Sequence, residues 1–288
     1  MNDQSSTTGN VRPWASVECP RPLVRRPEIR HVLFDFDGTL SLIRQGWPEV
    51  MTPMFVEALP PLAGESPDDM KRLVIDDIMR LNGKQTIYQM MQLAERVRDR
   101  GGEPQEPLWY KHEYLRRLDR HIAARIDRLA AGETARDEYL VHGTREFLDH
   151  LTKRGLVLHL ASGTDETAVK REATLLDVAR YFHGRIHGAL DDYKRFSKQM
   201  IIERILAENK IPGDSLMAFG DGYVEIENTK QAGGFAVAVA SDEANNGSGR
   251  VDEWKRARLL GVGADAVIPD YRDAISLIDH LLDGAGQS

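Results

Sequence analysis

Residues 31–42 read HVLFDFDGTLSL. Three apolar residues, Val32, Leu33 and Phe34, run into Asp35 and Asp37, with only Phe36 between the two acids; Gly38 and Thr39 follow. Side chains two apart on an extended chain share a face, so both carboxylates can serve one site. Asp221 stands in a similar place, between Gly220 and Gly222 and just after an apolar stretch at 215–219. Three converging aspartates make a hard, oxygen-rich set suited to magnesium. Ser162 and Gly163, which end another apolar stretch, add a hydroxyl and accessible backbone N–H groups. Lys194 or Lys198 adds a positive charge. A nucleophile, a metal, amide donors and a cation are what a phosphoryl group requires.

Elements must bring these residues together. Short apolar strands are expected at 30–36, 156–161, 181–186, 215–219, 235–240 and 266–268. Helices are expected at 144–154, 166–178, 197–209 and 223–231. Strands alternating with helices predict an α/β fold, a Rossmann-like parallel sheet with right-handed crossovers. Ligands of such sheets bind beyond the carboxyl ends of the strands, which is where 35–39, 162–164, 194–198 and 220–222 fall. From about 42 to 137 the pattern is helical, with apolar residues three and four apart at 70–81 and 87–98 and a break at 101–104. The expected organisation is a loosely ordered extension at 1–28, a core made of 29–41 and 138–288, and an inserted helical unit at 42–137.

The bulk numbers narrow the function. A net charge of −7 offers no basic surface to nucleic acid or anionic lipid. Cys19 is the only cysteine, which excludes an intrachain disulfide and a cysteine zinc cluster. No apolar stretch approaches the roughly 20 residues that span a bilayer, and the first residues lack an apolar signal core. A cytoplasmic protein is the expectation.

Competing readings of single motifs are weaker. DxDG opens an EF-hand calcium loop, but that loop needs Gly and Glu where Leu40 and Gly46 stand. Lys198 is preferred to Lys194 because it opens an amphipathic helix. His183 and His187 have no acidic or cysteine partner nearby and are assigned packing or surface roles. The run 116–120 reads as a solvated helix face.

Taken together, the motifs resemble those of the haloacid dehalogenase (HAD) superfamily. DFDGTL is similar to its first motif, Ala161-Ser162-Gly163-Thr164 to its second, Lys198 to its third, and FGDGYVEIE, with a second acid at Glu225, to its fourth. The resemblance spans residues 30–41 and about 140–270, in the family's order. It implies that Asp35 attacks phosphorus to form an aspartyl-phosphate and that Asp37 protonates the leaving group and then activates water. It implies a Mg²⁺ ion held by Asp35, the backbone carbonyl of Asp37 and Asp221, with Glu225 bound through water or orienting Asp221. Ser162 and the N–H of Gly163 would hold phosphate oxygens, and Lys198 would neutralise charge. The insertion resembles the helical cap of the family's first cap class, as in phosphoglycolate-phosphatase-like members. Leu42 stands where a common family pattern has Asp. Arg44, Trp47 and Lys84 are the candidate substrate contacts from the cap, and an Arg and a Lys there would suit a second anionic group.

The function implied is a Mg²⁺-dependent phosphatase acting on a small phosphorylated metabolite of sugar-phosphate or phospho-acid type. Sugar phosphomutase or phosphonate hydrolase activity on the same fold are alternatives, the second needing a Schiff-base lysine such as Lys84. A ligand sensor without catalysis is a further one. Asp37 speaks against 2-haloacid dehalogenation, whose enzymes lack this second aspartate.

Overall fold

A computed structural model describes residues 14–283. The chain enters strand β1 (His31–Phe34) and then forms four helices: α1 (Trp47–Ala58), α2 (Pro67–Arg80), α3 (Thr86–Asp99) and α4 (Pro107–Ala130). Helix α5 (Thr144–Lys153) leads to β2 (Val157–Asp165), α6 (Glu166–Leu175), a single turn α7 (Ala179–Phe182) and β3 (Ile186–Ala189). Next come α8 (Lys198–Asn209), β4 (Leu216–Gly220), α9 (Tyr223–Gln231), β5 (Phe235–Val239), α10 (Glu253–Gly261), β6 (Ala266–Ile268) and α11 (Ala274–Leu282). The six strands form one sheet in the order β3-β2-β1-β4-β5-β6, every neighbouring pair parallel. Such a sheet is covered on both faces, which is why β4 and β5 are apolar throughout, β1 is apolar after His31, and all three are buried. This is the expected α/β, Rossmann-like architecture, with the four helices α1 to α4 inserted between β1 and β2.

An aromatic layer fixes the strand ends that carry the acids. Phe34, just before Asp35, stacks on Phe219 at 5.1 Å between ring centres. Phe147 of α5 stacks on Tyr271 at 4.9 Å and meets Phe219 edge-on at 5.1 Å. Aromatic pairs of this kind add roughly 0.5–1.5 kcal/mol each beyond the area they bury. The Tyr271 hydroxyl also donates to the carbonyl of Thr39 at 3.1 Å, tying this layer to the turn after Asp37.

The helical insertion rests on the sheet's carboxyl edge through polar contacts. Gln85 donates to the carbonyls of Tyr193 (3.1 Å) and Phe196 (2.7 Å). Arg258 of α10 donates to the carbonyls of Met79 and Arg80. Lys111 of α4 is buried and pairs with Asp165 at 2.7 Å and with Asp191 at 3.2 Å.

Two expectations are corrected. The apolar residues Tyr181 and Phe182 belong to α7 rather than to a strand at 181–186. His183 and Gly184 then turn left-handed (φ 48° and 84°), so the strand starts only at Ile186. The segment 14–28 is not loose. Trp14 is buried and meets the His280 ring edge-on at 5.1 Å. Ser16 donates through both its N–H and its hydroxyl to Asp273, and Glu18 pairs antiparallel with Val267, covering the free edge of β6. Residues 1–13 lie outside the described residues. Among the described residues, no helix is long and apolar enough to cross a membrane.

Candidate active site

Asp35 follows β1 directly, and its N–H donates to the carbonyl of Phe219, which keeps it in register with β4. Its side chain is 8 % exposed. Gly38, three residues on, turns left-handed (φ 72°), and a Cβ there would come within 2.2 Å of Asp221 Oδ2. The DxDG turn thus needs its glycine both for conformation and to admit Asp221.

Asp35, Asp221 and Glu225 each place an oxygen within 4.8 Å of the others. Lys198 opens α8 behind the N-cap Ser197 and lies between two of these acids, 3.0 Å from Asp35 Oδ1 and 2.7 Å from Glu225 Oε2. The other oxygen of Glu225 accepts the N–H of Gly222 at 2.6 Å. Glu225 therefore braces Lys198 and the turn around Asp221, and offers no free oxygen. Burial pushes the Asp35 and Glu225 carboxyls upward, and the two carboxylates keep the Lys198 ammonium charged against its own burial. Lys194, by contrast, is exposed beside the Tyr193 ring.

Asp37 has different company. Thr164 donates to its Oδ2 at 2.7 Å and Ser162 at 3.3 Å, while the N–H of Thr164 donates to Ser162 Oγ at 3.0 Å. Arg44 Nε lies 3.8 Å from Asp37 Oδ1. Burial, with the carboxylates of Glu172 and Asp35 nearby, pushes Asp37 up to about 7 against the opposing pull of Arg44 and Thr164. Two carboxylates two residues apart thus sit in unlike surroundings, one against a lysine and one among hydroxyls.

The cap candidates divide. Trp47 is half-buried at the start of α1 and lines the cavity over the acids. Arg44 also lines it, but its guanidinium is committed to the fully buried Glu172 of α6 through bonds of 3.0 and 2.7 Å. That pairing uses Nε and Nη2 and offsets the Arg44 charge within the protein. Lys84 brings its backbone to the site, since a Cβ on Gly163 would meet the Lys84 carbonyl at 2.8 Å; its side chain is exposed beside Tyr88. His183 is exposed and His187 half-buried on β3, and among the described residues they belong to no cluster of three potential metal ligands.

Several site residues were given no role from the sequence. Thr164 could have been read as the end of the Ser-Gly-Thr run. Thr39 accepts the N–H of Asp221 at 3.0 Å and follows the DxDG turn. Lys255 of α10 pairs with Asp221 at 2.9 Å and with Glu243 at 2.7 Å; like Glu172 it is distant in sequence from what it touches.

The oxygen-only donor set of Asp35 and Asp221, with Glu225 behind it, fits a hard divalent cation. No match to a curated protein was found. Solved structures share the fold. A HAD-like protein of unknown function from Agrobacterium tumefaciens is 17% identical, with TM-score 0.57, covering 88% of this chain and 100% of that one. A protein described as a predicted phosphoglycolate phosphatase from Haemophilus somnus is 15% identical (TM-score 0.54, 87% and 98%). A HAD family hydrolase from Deinococcus radiodurans with bound phosphate and sodium is 14% identical (TM-score 0.53, 90% and 100%). A family model for haloacid dehalogenase-like hydrolases matches residues 29–233, well over half of the chain and the whole stretch from β1 through α9. The chain belongs to the haloacid dehalogenase-like hydrolase family.

Proposed function

We propose that the protein is a Mg²⁺-dependent phosphatase that hydrolyses a small phosphomonoester through an aspartyl-phosphate on Asp35. The observation that carries this reading is the division of partners between the two acids. Asp35 faces the ammonium of Lys198 at 3.0 Å, whereas Asp37 faces the hydroxyl of Thr164 at 2.7 Å.

A carboxylate attacking a phosphate dianion must overcome charge repulsion, and Lys198 offsets part of it in a site where Coulomb terms exceed those in water. Asp35 forms its bond to phosphorus as the bond to the leaving oxygen breaks. Asp37, held near neutrality in its titration, gives that oxygen a proton. In the second half Asp37 takes a proton from water, the water oxygen bonds to phosphorus, and the Asp35–phosphorus bond breaks to release orthophosphate. Ser162 and the N–H of Gly163 hold phosphate oxygens. Asp35, the carbonyl of Asp37 and Asp221 would hold Mg²⁺, which when bound supplies Lewis-acid stabilisation of the phosphoryl charge.

Residues 42–137 act as a lid that excludes water. The cavity beneath measures about 90 Å³, which suits a small leaving group. Its cap side presents the uncharged Gln45, Trp47, Asn82, Thr86 and Tyr114, together with Arg44, which is paired with Glu172, and Lys84, whose ammonium stands over the Tyr88 ring. This lining favours an uncharged, hydroxyl-bearing leaving group of sugar-phosphate type over a phospho-acid.

Phosphate release across a panel of sugar phosphates, phospho-acids and an aryl phosphate, with and without Mg²⁺, tests the reading. Mg²⁺-dependent release that disappears in Asp35→Asn supports it. Isomerised sugar phosphate without net release would point to a mutase, and borohydride trapping of an aldehyde on Lys84 to a phosphonate hydrolase.

A further inference from the structure

Lys255 is a buried cation that the proposed reaction does not use. Its ammonium lies 2.9 Å from Asp221 Oδ2 and 2.7 Å from Glu243 Oε1, and donates to Ser241 Oγ at 3.2 Å. Ser241 donates in turn to the carbonyl of Gly38 at 2.6 Å, within the turn that carries Asp37. The network makes the two oxygens of Asp221 unequal. Oδ2 carries the ammonium, and Oδ1 meets only the Thr39 hydroxyl, at 3.4 Å. Oδ1 is therefore the oxygen left for a cation.

We infer that Lys255 restricts Asp221 to ligation through one oxygen and thereby sets the site's preference for magnesium over calcium. The inference rests on the metal-site reading above. Magnesium requires a near-ideal octahedron of single oxygens, whereas calcium accepts six to eight and readily takes both oxygens of one carboxylate. An oxygen that already accepts a charge-assisted bond from an ammonium is the poorer donor of its carboxylate, and it joins a bidentate pair only against the repulsion of that ammonium. The ammonium also repels any cation bound at Asp221, but this repulsion is alike for two divalent ions at one place. It weakens both and cancels in the ratio of their dissociation constants, whereas the ligation effect does not cancel. Lys255 is in this sense a positioning residue, acting through Asp221.

The test is displacement of Mn²⁺ from the full chain by Mg²⁺ and by Ca²⁺, followed by electron paramagnetic resonance, which requires no turnover. Lys255→Met keeps the aliphatic stem and removes the ammonium. It should tighten both ions, and shift the ratio Kd(Mg)/Kd(Ca) toward calcium by about tenfold, the equivalent of one lost hydrogen-bond constraint. Equal tightening of the two ions, or an unchanged ratio, overturns the inference. Glu243→Gln leaves Lys255 on Asp221 and should keep the wild-type ratio; a shift as large as that of Lys255→Met overturns it too. The unaltered protein is a test that needs no variant to fold, because tighter binding of Ca²⁺ than of Mg²⁺ there is contrary to the inference. A wild-type protein that binds no Mn²⁺ removes the metal-site reading and this inference together. Mn²⁺ binding that is lost in Asp221→Asn, with an unshifted ratio in Lys255→Met, removes this inference alone.

Discussion

Replacing Lys198 by Met should cost stability in a way that depends steeply on pH. Lys198 lies between two buried acids, 3.0 Å from Asp35 and 2.7 Å from Glu225, whose side chains are 8 % and 1 % exposed. Methionine fills nearly the same volume, so packing loss is small. What remains is a pair of buried carboxyls facing one another without a counter-charge. Breaking a buried ion pair from one side costs roughly 3–5 kcal/mol. The folded variant escapes part of this by keeping its carboxyls protonated, so their folded pKa values rise far above the unfolded values near 4. A group with a raised folded pKa binds more protons in the native than in the unfolded chain. Its contribution is fully present below the unfolded pKa and is lost as pH rises toward the folded one. The variant should therefore be less stable than wild type by about 4 kcal/mol at pH 8, and by only about 1 kcal/mol near pH 4.5. Urea unfolding followed by far-UV circular dichroism at both pH values measures this. A deficit below about 1 kcal/mol at pH 8, or the same deficit at both pH values, would refute the assignment of Lys198 as the charge that holds these acids together.

Arg44→Met strands the fully buried Glu172 and should destabilise by roughly 3–5 kcal/mol, whereas Arg44→Met with Glu172→Leu should recover most of that loss; thermal melts of the single and double variants decide. His159, 3.0 Å from His31 in the core, is pushed down to about 3 by burial with help from His31, Arg185 and His187, so the folded chain holds it neutral while the unfolded chain takes up a proton near 6.5. Its stabilising effect is complete about a unit above 6.5 and fades as pH falls, by about 1.6 kcal/mol between 6.5 and 5; His159→Leu should flatten that slope in urea titrations, and an unchanged slope would count against it. Thr164→Val removes the hydroxyl that pulls the Asp37 carboxyl down, so the alkaline limb of single-turnover cleavage should move from about 7 upward by about one pH unit; a limb that stays or moves downward contradicts the role given to Thr164.

How much of this was readable in advance depended on whether partners were near in sequence. Asp35, Asp37, Ser162 and Asp221 announce themselves because each follows an apolar run, and the parallel sheet delivers such strand ends to one edge. Ser197, an N-cap whose hydroxyl accepts the N–H of Met200, marks Lys198 as a helix-opening residue and separates it from Lys194. Glu172 gives no such sign: it is one acid on a helix, 128 residues from Arg44, and only the folded chain reveals their pairing. Lys255 was hidden for a second reason. Helix α10 (EWKRARLLG) carries four charges in nine residues and follows a long polar loop, so no apolar stripe announces it. Tyr181 and Phe182 fit either a strand or a helical turn, and the left-handed pair after them, not their hydrophobicity, decides. Trp14 and Glu18 lie in a proline-rich, turn-like stretch; their order comes from contacts more than 240 residues away.

The central claim is that Asp35 becomes phosphorylated. The most direct test mixes the protein with Mg²⁺ and a reactive phosphate ester, quenches within a turnover, reduces with borohydride and maps the peptides by mass spectrometry. An acyl phosphate at Asp35 is reduced to homoserine, so the account predicts homoserine at position 35, dependent on Mg²⁺ and enriched in Asp37→Asn, whose second half-reaction is slowed. Phosphate release with an unaltered Asp35, or modification of another residue in its place, would contradict it.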